Sequence, residues 1–163
     1  IFRRTNMKFN MALRNLIIVL FGALVLSACS TAKKGDLTGD VYTGTETIEY
    51  LAKGVPDRVF FATNKSSLTT AARDTLRKQA TWLRKNKDIT VTVEGHADER
   101  GTREYNLALG ERRANAAKDY LMTYGISGKR ISVISYGKEK PVNPASNPLA
   151  WSQNRRSVTV KAN

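Results

Sequence analysis

The stretch Ile89–Gly95, ITVTVEG, alternates branched apolar and polar side chains, and the residues after it follow a different period. Ile89, Val91 and Val93 point one way and Thr90, Thr92 and Glu94 the other, which predicts a strand with one buried face. A polar bend, HADERGT, follows. Thr102 then suits an N-cap, with Glu104 in the first helical turn near the positive end of the dipole. Leu107, Gly110, Ala114, Ala117 and Leu121 recur at helical spacing, and Gly125 suits the C′ position. A strand and a helix that each bury one side must pack against one another in layers.

The flanking sequence extends the pattern. Arg58–Phe61 reads as a short strand. TTAARDTLRKQATWLRKN reads as an amphipathic helix, with Leu68, Ala72, Leu76, Gln79 or Ala80, and Leu83 inward and Thr69 or Thr70 as cap. Arg130–Gly137 is a further strand, LAWSQNRR holds a short helix, and Ser157–Lys161 closes the chain as a strand. The order predicts an α+β fold, a two-layer β-α-β-α-β-β sandwich over residues 57–163. A chain of 163 residues has room for one such domain with appendages. Which strands run parallel is not fixed by one sequence.

The beginning reads as an address. Met7 is taken as the natural start, with residues 1–6 upstream of it. Lys8 and Arg14 precede the apolar run Leu16–Leu26, shorter than the roughly 20 residues a membrane span needs, as in a secretory signal peptide over 1–28. Leu26-Ser27-Ala28-Cys29 then resembles the bacterial lipobox. That resemblance implies a diacylglycerol on Cys29, cleavage before it, and, with Ser30 next, sorting to the outer membrane. The single Cys of the chain falls at this boundary. Residues 29–56, rich in Thr, Gly, Asp and Lys, read as the lipidated terminus and a flexible tether, with at most a helical turn near Thr47–Lys53.

The bend concentrates the chemistry. His96, Asp98 and Glu99 crowd it, but one His and one Cys in the whole chain speak against a zinc site, and the acids lack the offsets of a calcium loop. No nucleophile–base–orienter set accompanies His96, which is read as a brace for the bend through its hydrogen bonds. Asn106 and Arg113 stand two helical turns apart, on one face, with Asp98 just before that helix. Aspartate suits an ammonium and arginine a carboxylate, so the set fits a small zwitterion. It fits equally well an internal Asp–Arg salt bridge beside a solvated helix face.

VEGHADERGTREYNLALGERRANAAKDYL, with GISGKRISVISYGKEKP and the late NRR, closely resembles the signature of the peptidoglycan-associated lipoproteins, within the OmpA C-terminal-like superfamily. The resemblance spans roughly Asp57 to Lys161. It implies non-covalent, non-catalytic binding of the meso-diaminopimelate stem peptide, with no cofactor. Carried over by motif, Asp98 would take the diaminopimelate ammonium, Arg113 its carboxylate and Asn106 the peptide. Leu109 and Phe61 would line the groove, and Arg155 would make a neighbouring contact. The family commonly has aspartates in its first strand region, where this chain has Ala62 and Asn64. The resemblance further implies an anchor in the outer membrane, partnership with TolB and other Tol proteins, and a role in envelope integrity and cell division. Two alternatives are a wall-binding lipoprotein outside the Tol system and a peptidoglycan-processing enzyme. The excess of 27 Lys+Arg over 14 Asp+Glu suits an anionic surface such as the wall. A secretory leader and the lack of interleaved aromatics count against nucleic acid.

Overall fold

The computed structural model describes residues 37–38 and 40–162. Cys29 and the leader lie outside the described residues.

Among the described residues two long helices each start at a threonine. Thr69 Oγ1 accepts from the Ala72 N–H at 3.1 Å and opens α1, Thr70–Lys85. Thr102 Oγ1 accepts from the Tyr105 N–H at 3.2 Å and opens α2, Arg103–Thr123. Each cap satisfies an N–H that the helix itself leaves without a partner. Gly125, at φ +83°, ends α2 with its N–H on the Met122 carbonyl. A third helix, α3, Pro148–Asn154, is short; Asn147 caps it and Pro148 fills the first turn.

Among the described residues eight strands complete the order. They are β1 Leu37–Thr38, β2 Val41–Tyr42, β3 Tyr50–Ala52, β4 Val55–Pro56, β5 Arg58–Phe60, β6 Val91–His96, β7 Ile131–Gly137 and β8 Arg156–Lys161. The main sheet runs β5-β8-β6-β7. Strands β6 and β7 are parallel, in register from Val91↔Ile131. Strand β8 is antiparallel to both its neighbours, with Arg58↔Val158 on one side and Val93↔Thr159 on the other. The expected α+β layering is therefore present, with α1 and α2 covering one face of the sheet.

The core between the layers holds Val59 and Phe61, Leu76 and Leu83 of α1, Val91 and Val93 of β6, and Ala114, Ala117 and Leu121 of α2. Both Gln79 and Ala80 face inward. Gln79 donates to the Pro56 carbonyl and accepts from Thr159 Oγ1, each at 2.8 Å, so its buried amide is paired at both ends. Arg130 draws together the α1–β6 connection, donating to the carbonyls of Leu83, Asn86 and Ile89.

Two expectations are corrected. No helical turn forms over Thr47–Lys53. The stretch carries β3, which pairs with β4 as a short hairpin. Nor is all of 40–56 a free tether, because Tyr42 and Leu51 are buried. Tyr42 packs edge-on against Phe60, with ring centroids 4.8 Å apart. Two aromatic or aliphatic anchors in a polar stretch are enough to dock it, and composition averages them away.

The helix–sheet contact that positions the site is unusually close. A Cβ on Gly95 would lie 1.8 Å from the Gly110 carbonyl oxygen, and one on Gly110 would lie 2.4 Å from Ser135 Oγ. The α2 backbone thus rests directly on β6. Replacement of Gly95 by Ala is expected to lower unfolding stability by about 2–3 kcal/mol or more, because rigid backbone is what the methyl meets. A denaturant titration checks it, and a change under about 0.5 kcal/mol would contradict this packing.

Candidate functional site

The close seating of α2 puts its polar residues inward. Asn106, Leu109 and Arg113 all fall on the buried face with Gly110 and Ala114, rather than on a solvated one. Arg113 has no exposed surface. Its guanidinium is held by three carbonyls: Nε donates to Lys65 at 2.9 Å, Nη1 to His96 at 2.8 Å and Nη2 to Ala62 at 3.1 Å. The Phe61 ring, also fully buried, lies 5.3 Å from the Arg113 Cζ atom. Burial brings the Arg113 guanidinium down from its ordinary value to about 10, against the pull of Asp98, so it stays charged at neutral pH. One side chain thus joins the β5–α1 connection to the end of β6.

Asp98 does form an internal Asp–Arg pairing, but with other arginines. Oδ1 accepts from the Arg100 N–H and Nε, both at 3.1 Å, and Oδ2 accepts from Arg100 Nη2 at 2.7 Å. Arg155 Nη1 reaches Oδ2 at 3.3 Å. Burial pushes the Asp98 carboxyl up. The Arg100 hydrogen bonds and charge, with Arg155, outweigh it and hold the carboxyl below 3.8. Arg155 is itself buried, with Nε on the Phe61 carbonyl at 3.1 Å and Nη2 on the Asp40 carbonyl. Asn106 Nδ2 donates to the Arg100 carbonyl at 2.9 Å, fixing the bend from beneath. Leu109 is buried on the same helix face.

Arg100, Asp40 and the partners of Glu99 escaped the sequence reading. Arg100 was legible in principle, since an Asp followed two residues later by a main-chain N–H donor is the Asx-turn pattern. Glu99 accepts from Ser146 Oγ at 2.5 Å and Trp151 Nε1 at 2.8 Å, while the Trp151 ring lies 4.3 Å from Arg100 Cζ. Asp40 accepts from the Thr63 N–H through Oδ2 at 2.5 Å. No local pattern announces a partner that far along the chain.

His96 braces the bend through its carbonyl, not its ring. Among the described residues neither ring nitrogen has a hydrogen-bond partner, and Nε2 stands 3.6 Å from the Glu94 carboxylate. Burial, then the charges of Arg156, Arg58 and Lys140, push the imidazole from 6.5 to about 3, against a weaker pull from the Lys140 main chain.

With the geometry in place, the likeness to known proteins decides the family. The OmpA family pattern matches residues 60–155. The peptidoglycan-associated lipoprotein of Rhizobium meliloti is 46% identical over 152 residues, 88% of this chain and 85% of that protein. That of Agrobacterium fabrum is 45% identical, again over 88% of this chain and 85% of its own. The chain belongs to the OmpA family, among the peptidoglycan-associated lipoproteins. The crystal structure of the Burkholderia pseudomallei member is 35% identical, with a TM-score of 0.63 over 65% of this chain and 90% of that one. This family's shared motif region therefore contains the Asp98 bend, α2 and Arg155.

Two expectations follow for stability. Arg113→Ala takes the guanidinium away from three carbonyls and opens a cavity, and is expected to cost about 3–5 kcal/mol in a denaturant titration; a loss below about 1 kcal/mol would contradict the role assigned to it. His96 controls acid sensitivity. The unfolded imidazole takes a proton below 6.5 while the folded one waits until about 3, so protonation favours unfolding across that window. Stability should fall with pH from about 6.5 downward, by at most about 1.4 kcal/mol per unit. His96→Gln should flatten that slope, with His96 the single histidine of the chain. Asp98 acts at lower pH: its contribution is complete above 3.8 and fades as pH falls below that value.

Proposed function

We propose that this protein is a lipid-anchored outer-membrane lipoprotein whose 57–163 domain binds diaminopimelate-containing peptidoglycan without catalysis. The observation that carries the reading is Asp98, an ionised carboxylate at a well-braced bend, flanked by two guanidiniums of which one is partly exposed. The Arg100 side chain is 42% exposed and can swing away. The ligand ammonium would then take its place on Asp98, charge for charge.

The free end of meso-diaminopimelate carries an ammonium and a carboxylate on one carbon, which such a site can hold at both ends. In this reading Asp98 takes the ammonium. Arg113 answers the carboxylate through N–H groups not already spent on carbonyls, and Arg155 stands beside it. Because Arg113 is fully covered, its contact requires a shift of the 62–65 segment that carries two of its carbonyl partners. Asn106 holds the bend toward the peptide, and Leu109 and Phe61 form the apolar floor. Family membership supports the wider role, in which the protein ties the outer membrane to the wall, pairs with TolB and other Tol proteins, and serves envelope integrity during division. A Cys29 lipid and a tether within 29–56 would set the distance between them.

The test is co-sedimentation of the full chain, purified in detergent, with diaminopimelate-type and lysine-type sacculi. Lysine lacks the second carboxylate. Wild type should pellet with the former at least ten times better than with the latter, and Asp98→Asn should lose that preference. Equal pelleting on both walls by both proteins would replace this reading with diffuse basic adhesion, which modest salt would abolish.

A further inference from the structure

The contact between Asp40 and the site has no counterpart in the sequence pattern. Asp40 precedes the domain, 23 residues before Thr63, yet its carboxylate accepts from the Thr63 main-chain N–H and its carbonyl from Arg155 Nη2. Arg155 also holds Asp98 Oδ2 and the Phe61 carbonyl. Arg100 closes the ring, donating to Asp98 and, at 3.4 Å, to Thr63 Oγ1. A main-chain N–H beside a guanidinium is a small carboxylate site. The chain's own carboxylate fills it.

We propose that Asp40 is an internal competitor for this carboxylate site, and that binding of the wall peptide displaces it. The inference rests on the function proposed above and concerns the regulation of the same site. Three observations favour a displaceable group over a fixed part of the site. Asp40 is exposed. Among the described residues the hairpin that carries it is a short one, pairing Leu37↔Tyr42 and Thr38↔Val41, and a two-stranded hairpin is at best marginally stable by itself. Two residues on, Tyr42 is buried against Phe60 and stays planted as a pivot. Asp40 can leave Thr63 while the rest of the segment remains docked.

The Thr63 hydrogen bonds also hold the Asp40 carboxyl below its usual value, so it is an anion at neutral pH and a match for the ligand's own carboxylate. Neighbouring positions offer no substitute, because Ala62 and Asn64 carry no charge. A ligand must therefore bind the fraction of molecules in which Asp40 has moved off, and its apparent affinity falls by that fraction. The same linkage runs backwards: a bound wall peptide frees the segment before Tyr42, and with it length between the domain and its anchor.

The test titrates the full chain in detergent with a soluble disaccharide-tripeptide ending in meso-diaminopimelate, comparing wild type, Asp40→Ala, Asp40→Asn and Asp98→Asn. Thr63 amide exchange is followed in parallel. Removing a competing charge-assisted hydrogen bond should tighten binding roughly 3- to 10-fold in both Asp40 variants. Asp40→Ala should speed Thr63 exchange in the free protein, and bound ligand should slow it again as its carboxylate takes over that N–H; exchange that ligand leaves unchanged in Asp40→Ala overturns the shared site. Unchanged or weaker binding in both Asp40 variants, with Asp98→Asn abolishing it, overturns the competitor and leaves the site reading intact. Wild-type binding by Asp98→Asn overturns the site reading and this proposal with it.

Discussion

A guanidinium with no exposed surface is the fixed point of this domain. Burying an unpaired cation is costly enough that a fold tolerates it only when hydrogen bonds replace water. Arg113 meets that condition with the carbonyls of Ala62, Lys65 and His96. Two of those carbonyls belong to the β5–α1 connection and the third to the last residue of β6, where the ladder gives way to the bend. The residue therefore does for irregular backbone what a ladder does for strands. Arg130 repeats the device at the opposite end of the sheet, on Leu83, Asn86 and Ile89. In both cases a planar fork of donors suits several carbonyls at once, which a lysine ammonium matches less well.

Arg113 can reach those carbonyls because α2 lies directly on β6. The Gly95–Gly110 contact removes the side-chain layer that normally separates a helix from a sheet. Three residues beyond Gly110, a long side chain then passes under the end of β6 to the His96 carbonyl. One turn before it, Asn106 meets the Arg100 carbonyl from below. Two glycines set the depth, and two polar residues use it. The bend that presents Asp98 is consequently supported from α2 as well as from its own Asx turn.

The sequence was informative where periodicity and local capping decide structure. Thr69, Thr102 and Gly125 act through neighbours a few residues away, and the stripes of α1 and α2 follow from burial of one face. The inward placement of Asn106 and Arg113 was less visible, because pattern reading assigns polar residues to solvent. The polar side of that helix and its buried side overlap, since the carbonyls waiting for Arg113 come from elsewhere in the chain. Asp98 was found but paired with the wrong arginine in the salt-bridge alternative, as distance in the fold and not spacing along α2 selects Arg100 and Arg155. The 40–56 stretch was read from average composition, whereas the buried Tyr42 and Leu51 dock it together with polar contacts such as Asp40–Thr63 and Pro56–Gln79. Parallel pairing of β6 with β7 had no local signal at all.

The charges around Asp98 suggest why such a site can open without a large penalty. A low-dielectric pocket punishes any step that leaves a charge alone. Here each charge already faces an opposite one: Asp98 faces Arg100 and Arg155, and Asp40 sits beside Arg155. A zwitterion brings one charge of each sign. Its ammonium can replace the exposed Arg100 guanidinium on Asp98, and its carboxylate can replace that of Asp40. Both displaced groups move outward to water, where their hydration is restored. Each displaced group is then replaced by one of like charge. Selectivity arises from geometry, because a ligand with only one of the two charges would expel one partner and leave the other half of the ring unchanged.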